Sequence, residues 1–180
     1  MATPHDNKPS AWVKRFAPVI PEGGRVLDLA CGSGRHARLL AELGYSVEAV
    51  DRDAAAIDSL RNQEGISPRL ADLENGPWPY HIDVFDGVIV TNYLFRPLLP
   101  HLLKLIEVGG VLIYETFMVG NELLGKPTNP AFLLRPGELL DLVRGRMRVV
   151  AFEQGEIRYP QAAVVQRLCA VRGNAPLLLP

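Results

Sequence analysis

The chain has 180 residues, 48% of them hydrophobic and 22% charged, a balance that suits one globular core and excludes a disordered or collagen-like polymer. Nineteen Lys and Arg face twenty Asp and Glu, and a net charge of -1 argues against a protein that grips nucleic acid through its phosphates. Cys31 and Cys169 are too few for a disulfide scaffold and lack the spacing of a zinc site. No apolar run reaches the roughly 18 residues of a membrane span, and the N-terminus lacks a secretory pattern. A cytoplasmic protein without a membrane partner is expected.

Residues 1–9 are polar, carry two prolines and read as a flexible arm. Residues 10–172 read as a single domain and 173–180 as a C-terminal tail. Ser10 is placed to cap a helix running to Val19, with Trp12, Phe16 and Val19 on one face, and Pro21-Glu22-Gly23-Gly24 ends it. Apolar runs at residues 25–30, 46–51, 83–91 and 111–117 predict strands buried on both faces. Between them lie helical stripes: Leu39 with Leu43, Ala56 with Leu60, Leu99, Leu102 and Leu103 with Ile106, and Leu139 and Leu140 with Val143. This alternation predicts βαβ units and a parallel sheet in an α/β fold. Residues 148–153 and 163–171 predict an antiparallel strand pair at the sheet edge, joined through Gly155 and Pro160. Arg144, Arg146 and Arg148 read as its solvated rim.

The chemistry concentrates in Val26-Leu27-Asp28-Leu29-Ala30-Cys31-Gly32-Ser33-Gly34-Arg35-His36-Ala37, where a buried strand turns sharply into a helix. Glycines there allow close approach of a ligand, and the first N–H groups of the helix favour its anionic part. Asp51 ends the neighbouring strand, within reach of ribose hydroxyls held above that turn, and Asp53 is placed to cap the next helix. Cys31 stands where a helix N-terminus lowers a thiol pKa. The same turn fits the nicotinamide fingerprint G-x-G-x-x-G/A, so an NAD(P)-dependent oxidoreductase is one alternative. A glycine turn that only packs a helix on a strand is another. Ser33 lacks the flanking glycines of a nucleophile elbow, no phosphate loop is present, and His5, His36, His81 and His101 are too scattered to ligate a metal.

The run from Leu27 to Gly34 resembles the first motif of the class I S-adenosylmethionine-dependent methyltransferases, with Ala30 where that pattern has its first glycine. Asp51 matches the family's ribose-binding acid, and Ala71-Asp72-Leu73 resembles its adenine contact. Phe85 to Asn92 resembles the fourth strand, beside the methionine moiety, and Val108-Gly109-Gly110-Val111-Leu112 is similar to the turn into strand five. Gly34-Arg35-His36-Ala37, Ala41-Glu42-Leu43-Gly44-Tyr45 and Leu134-Arg135-Pro136-Gly137-Glu138-Leu139 look most like the small tellurite-resistance-type (TehB-like) branch. The resemblance implies a Rossmann-like doubly wound, mostly parallel seven-stranded sheet with an antiparallel C-terminal pair. It implies S-adenosylmethionine as cofactor, with S-adenosylhomocysteine as product. The implied cofactor residues are Asp28, Ala30, Gly32, Gly34, Asp51, Arg52, Asp72, Leu73, Thr91 and Asn92.

A methyl donor already carries the activated group, so the protein chiefly positions the acceptor and needs no dedicated nucleophile. Asn92 and Tyr93 are the first candidates near the methyl, and Glu115 is a candidate base or anchor. Arg135 with Tyr159 is a candidate receptor for an acidic substrate, and Trp12 either closes over the pocket or packs beneath it. Residues 118–131, rich in Gly, Asn and Pro, read as a substrate loop. A small-molecule acceptor is expected because the chain barely exceeds the core fold. A non-catalytic cofactor-binding module remains the third reading.

Overall fold

The computed structural model describes residues 8–82 and 84–180, so most of the expected N-terminal arm lies outside the described residues. Among these residues a seven-stranded sheet runs in the order β3-β2-β1-β4-β5-β7-β6. β1 (Arg25–Leu29), β2 (Ser46–Asp51), β3 (Ile66–Leu70), β4 (Phe85–Thr91) and β5 (Ile106–Phe117) are parallel. β7 (Ala163–Val171) pairs antiparallel with both β5 and β6 (Arg148–Ile157). This is the mixed, doubly wound sheet that the sequence predicts.

Strand alternation divides the core between two faces. Val26, Val47, Ala49 and Ile89 pack with α1 (Ala11–Phe16), α2 (Arg35–Glu42) and α3 (Ala54–Asp58). Leu27, Leu29, Val88 and Val90 pack with α4 (Leu99–Leu105) and α5 (Glu138–Val143). Ser10 does cap α1: its Oγ accepts from the N–H groups of Trp12 and Val13. Trp12 and Phe16 are buried, and the helix passes into a 3-10 turn over Ala17–Val19 where Pro18 enters.

Several elements depart from the sequence pattern. α2 buries His36, Ala37 and Leu40, whereas Leu43 follows the last helical turn and is 50% exposed. Small Ala37, rather than a leucine stripe, sets how closely this helix meets the sheet. Ile106 opens β5 opposite Phe85 instead of closing α4, so helix and strand join without a loop. The antiparallel pair does lie at one edge of the sheet, as expected, with β6 outermost and β7 against β5. Gly155 sits within β6 opposite Val165, because the ladder extends to Ile157 before the chain turns. Arg148 is not simply a solvated rim: its guanidinium donates to the carbonyls of Asn174 and Ala175 and holds the tail against the strand.

Candidate cofactor and acceptor site

The strand order reverses between β1 and β4, which opens a crevice beyond their carboxyl ends. Ala30 follows β1 with φ 54° and Asn92 follows β4 with φ 52°. They are the two non-glycine residues with left-handed backbone among the described residues, and both border this crevice. Such conformations persist only where surrounding bonds over-determine them. Here the Cys31 N–H donates to the Val50 carbonyl and the Asn92 N–H to the Glu115 carbonyl.

The two glycines of the turn have different uses. Gly34, at φ 77°, is the N-cap of α2, and a Cβ there would stand 2.6 Å from Leu60 Cδ2. Gly32, at φ 52°, has nothing within 4 Å of where its Cβ would be. The first is needed for packing, and the second leaves space above the turn. The Asp51 carboxylate is fixed from two sides: Oδ2 accepts from the Gly32 N–H at 2.8 Å and Oδ1 from the Asp53 N–H at 2.9 Å. Asp53 caps α3 through the N–H groups of Ala55 and Ala56, as its position predicts.

A recess of about 360 Å³ opens here, with Ala30, Asp51, Arg52, Asp72, Leu73, Asn92 and Tyr93 in its wall. Phe117, Pro127 and Phe132 bound its far side. Asp72 is committed to its own turn, accepting from the N–H groups of Glu74 and Asn75 and from the Asn75 amide. These bonds, the Asn75 side chain first, hold its carboxyl below the usual range. Tyr93 has a buried hydroxyl with no partner in hydrogen-bond geometry, and burial followed by the charge of Glu74 pushes its pKa up. Its carbonyl accepts from the Tyr114 hydroxyl at 2.8 Å.

Asp28, Gly32, Gly34 and Thr91 are not in the recess wall. Asp28 is buried beneath the turn with neither carboxylate oxygen in full hydrogen-bond geometry, and burial, outweighing the Ala37 N–H, raises its pKa from 3.8 to about 7. Thr91 is also buried, its Oγ1 3.2 Å from His36 Nδ1. His36 Nε2 accepts from the Ser10 N–H at 3.0 Å, so the ring proton resides on Nδ1 and points to Thr91. Burial lowers the His36 pKa to about 3, and the neutral ring joins the start of α1 to the end of β4. Cys31 departs from its expectation. Burial, then the charges of Asp28 and Asp51, push its thiol pKa up, overriding any effect of the nearby helix end.

A second cavity of about 340 Å³ meets the recess at Asn92 and Phe117, which border both. Glu115 lies in its wall, ion-paired with Arg167. That pairing makes Glu115 an anchor, not a vacant base. The Arg167 guanidinium lies 5.9 Å from the Trp12 ring, and Trp12 Nε1 donates to the Leu168 carbonyl at 3.2 Å. Trp12 therefore packs beneath the site and is not a lid. Tyr159 borders this second cavity, whereas Arg135 lines neither cavity and lies 3.5 Å from Glu138. The structure does not bring Arg135 and Tyr159 together as one receptor.

The loop at residues 118–131 divides the two cavities. Asn121, Leu124 and Lys126 face the second, and Pro127 faces the recess. Its return is held by Arg96, which donates to the carbonyls of Ala131 and Leu133 and to both oxygens of Glu138, at 2.7–2.9 Å. Neither Arg96 nor His36 was assigned from the sequence, because no local motif marks a side chain that acts on a segment 35 or 26 residues away. Among the described residues no group of His, Cys, Asp and Glu is gathered to hold a metal, and no helix is long and apolar enough to cross a membrane.

With this geometry in place, residues 26–107 match the methyltransferase domain family. The chain has the class I S-adenosylmethionine-dependent methyltransferase fold. Superposition on TehB from Haemophilus influenzae gives a TM-score of 0.73 at 22% identity, covering 91% of this chain and 62% of that one. A SAM-dependent methyltransferase from Methanosarcina mazei gives 0.69 at 18%, covering 89% and 97%. In sequence, a protein-L-isoaspartate O-methyltransferase from Chlorobaculum tepidum is 39% identical over 105 residues, 55% of this chain and 47% of that protein. The chain thus spans about half the length of that curated relative.

S-Adenosylmethionine, the cofactor of this methyltransferase fold, suits the residues present. Asp51 is pre-oriented for hydroxyl donors, the Gly32 turn is open above, and the Tyr93 hydroxyl in the recess wall has no partner in hydrogen-bond geometry.

Proposed function

We propose that this protein transfers a methyl group from S-adenosylmethionine to a small organic acceptor. The observation that carries the reading is the meeting of two cavities at Asn92 and Phe117, one built on Asp51 and the glycine turn. When bound, the cofactor supplies an electrophilic methyl on a sulfonium. Asp51 would accept from the ribose hydroxyls, with Arg52, Asp72 and Leu73 along the base and Ala30 and Asn92 beside the amino-acid tail. Asp28, Gly32, Gly34 and Thr91 would shape and support that seat from beneath.

The residues at the junction would orient an acceptor in line with the methyl. Proximity of this kind is worth roughly 7–11 kcal/mol of barrier, so positioning suffices without a nucleophile from the protein. Asn92 and Tyr93 would set the acceptor's approach, and Phe117 with the loop at residues 118–131 would keep water away. Glu115 is committed to Arg167, so an acceptor that arrives already deprotonated fits this site best. A cavity of about 340 Å³ matches a small organic molecule rather than an extended polypeptide.

The test is calorimetric titration with S-adenosylhomocysteine, with NADH and NADP⁺ titrated in parallel. Micromolar binding of S-adenosylhomocysteine alone is the expected result. Binding of a nicotinamide cofactor instead, or silence from all three in folded protein, overturns the reading.

A further inference from the structure

The second cavity carries a charge pattern that the chain as a whole does not. The protein's formal net charge is -1, yet among the described residues Lys8, Lys14, Arg35, Lys126 and Arg167 line this cavity with one carboxylate, Glu115. Glu115 is spent on Arg167, so among the described residues no other acid in the wall answers the charge of Lys14 and Lys126. The lysines come from two directions. Lys14 is on α1, and Lys126 is on the loop that divides the cavities. The same wall carries apolar Phe117, Leu124, Ile157 and Val165 together with Ser10, Asn92, Asn121 and Gln161, and the exposed Tyr159 ring.

Low-dielectric walls lined by one sign of charge focus the field and raise the local concentration of the opposite ion. An apolar body with one anionic group satisfies both parts of this wall. A cationic acceptor would meet like charge, and a neutral one would forgo the lysines. We infer that the acceptor is a small organic carboxylate, its apolar body against Phe117, Leu124 and Val165 and its carboxylate met by Lys14 and Lys126. This deepens the methyltransferase reading and rests on it, since the cavity's meaning as an acceptor site comes from its junction with the cofactor recess.

Benzoate and benzamide share a shape and differ in charge, which makes them suitable probes. Each is titrated calorimetrically into the full chain, with and without saturating S-adenosylhomocysteine, and into the Lys14→Gln/Lys126→Gln double variant. Both lysines are exposed, so the variant keeps the core intact. Benzoate is expected to bind about tenfold more tightly than benzamide. In the variant that preference should fall below about threefold, with S-adenosylhomocysteine affinity unchanged.

Equal binding of the two probes, no binding of either at millimolar concentration, or a preference that survives in the variant overturns the inference. So does a variant that loses S-adenosylhomocysteine affinity while keeping the benzoate preference, because the lysines would then serve the cofactor's own carboxylate. Failure of S-adenosylhomocysteine to bind, with the benzoate preference intact and lysine-dependent, supports the carboxylate site and sinks the cofactor reading instead.

Discussion

On the β1–β2–β3 side of the crevice, Asp51, Asp53 and Asp72 are held by backbone N–H groups. Asp51 is fixed by Gly32 and Asp53, Asp53 by Ala55 and Ala56, and Asp72 by Glu74 and Asn75. Across β4, the wall is held by side chains reaching over long stretches of sequence. Glu115 is paired with Arg167, 52 residues away, and Arg96 ties residues 131, 133 and 138 together. A frame built on backbone donors tolerates exchange of most side chains, whereas one built on ion pairs fails with a single substitution. The cofactor side is therefore the part that a fold can carry unchanged, and the acceptor side is where substrate choice is free to diverge.

The largest effect should come from breaking the acceptor-side frame. Arg167→Met leaves the Glu115 charge nearly enclosed and unpaired, with 11% of that side chain exposed. Losing one partner of a buried pair costs about 3 kcal/mol, to be read in denaturant unfolding at pH 7. S-Adenosylhomocysteine affinity, which depends on the other side, should change by less than about threefold. A parallel fall in affinity would show that the two sides are one frame.

Asp28 is the exception on the cofactor side, a buried carboxyl whose desolvation outweighs the help of the Ala37 N–H. Its folded pKa of about 7 lies above its ordinary 3.8, so the folded state holds the proton more tightly. Stability is then lost as pH rises from about 4 to 7 and stays low above 7, a cost of order several kcal/mol. Asp28→Asn removes the titration: the variant should be about 2 kcal/mol more stable than the parent at pH 8, with a flatter unfolding profile between pH 4 and 7. A parent whose stability rises over that interval contradicts the raised pKa of Asp28.

The difference between the two sides also decides what was legible in the sequence. Asp51, Asp53 and the glycine turn lie in short segments whose spacing already states their geometry, and the strand order follows from the alternation of two periods. The position of β7 inside the sheet was not legible, because an antiparallel pair has no crossover helix to fix which strand lies at the edge. The burial of His36, the pairing of Glu115 and the gathering of Lys14 and Lys126 were equally hidden. Each depends on residues that meet only once distant strands have paired. Arg135 is suited to a substrate by type, and its place beside Glu138, outside both cavities, depends on the fold.

Within the cofactor side, the two acids of the recess should differ. Asp51→Ala removes an acceptor whose orientation is set by two N–H groups and should weaken S-adenosylhomocysteine by ten- to hundredfold, from charge-assisted bonds of ~1.5–3 kcal/mol. Asp72→Ala should weaken it by less than about tenfold, because the Asn75 side-chain amide also holds its Oδ2, a third bond that Asp51 does not have. Equal losses at the two positions would mean that the Asn75 side-chain bond does not set the difference between them.

The smallest expected effect is at Ala30. Its φ of 54° places a Cβ in the left-handed region, where an L-residue is strained by roughly 1–2 kcal/mol. Glycine removes that strain but adds freedom to the unfolded chain, which returns part of the gain. Ala30→Gly should therefore raise stability by only about 0.5–1 kcal/mol, measurable as a higher denaturant midpoint with an unchanged slope. If the strain instead helps to hold the crevice open, S-adenosylhomocysteine affinity will fall as stability rises. A variant that gains stability and keeps its affinity would show that the hydrogen bonds of Asp51, and not the Ala30 side chain, set the height of the turn.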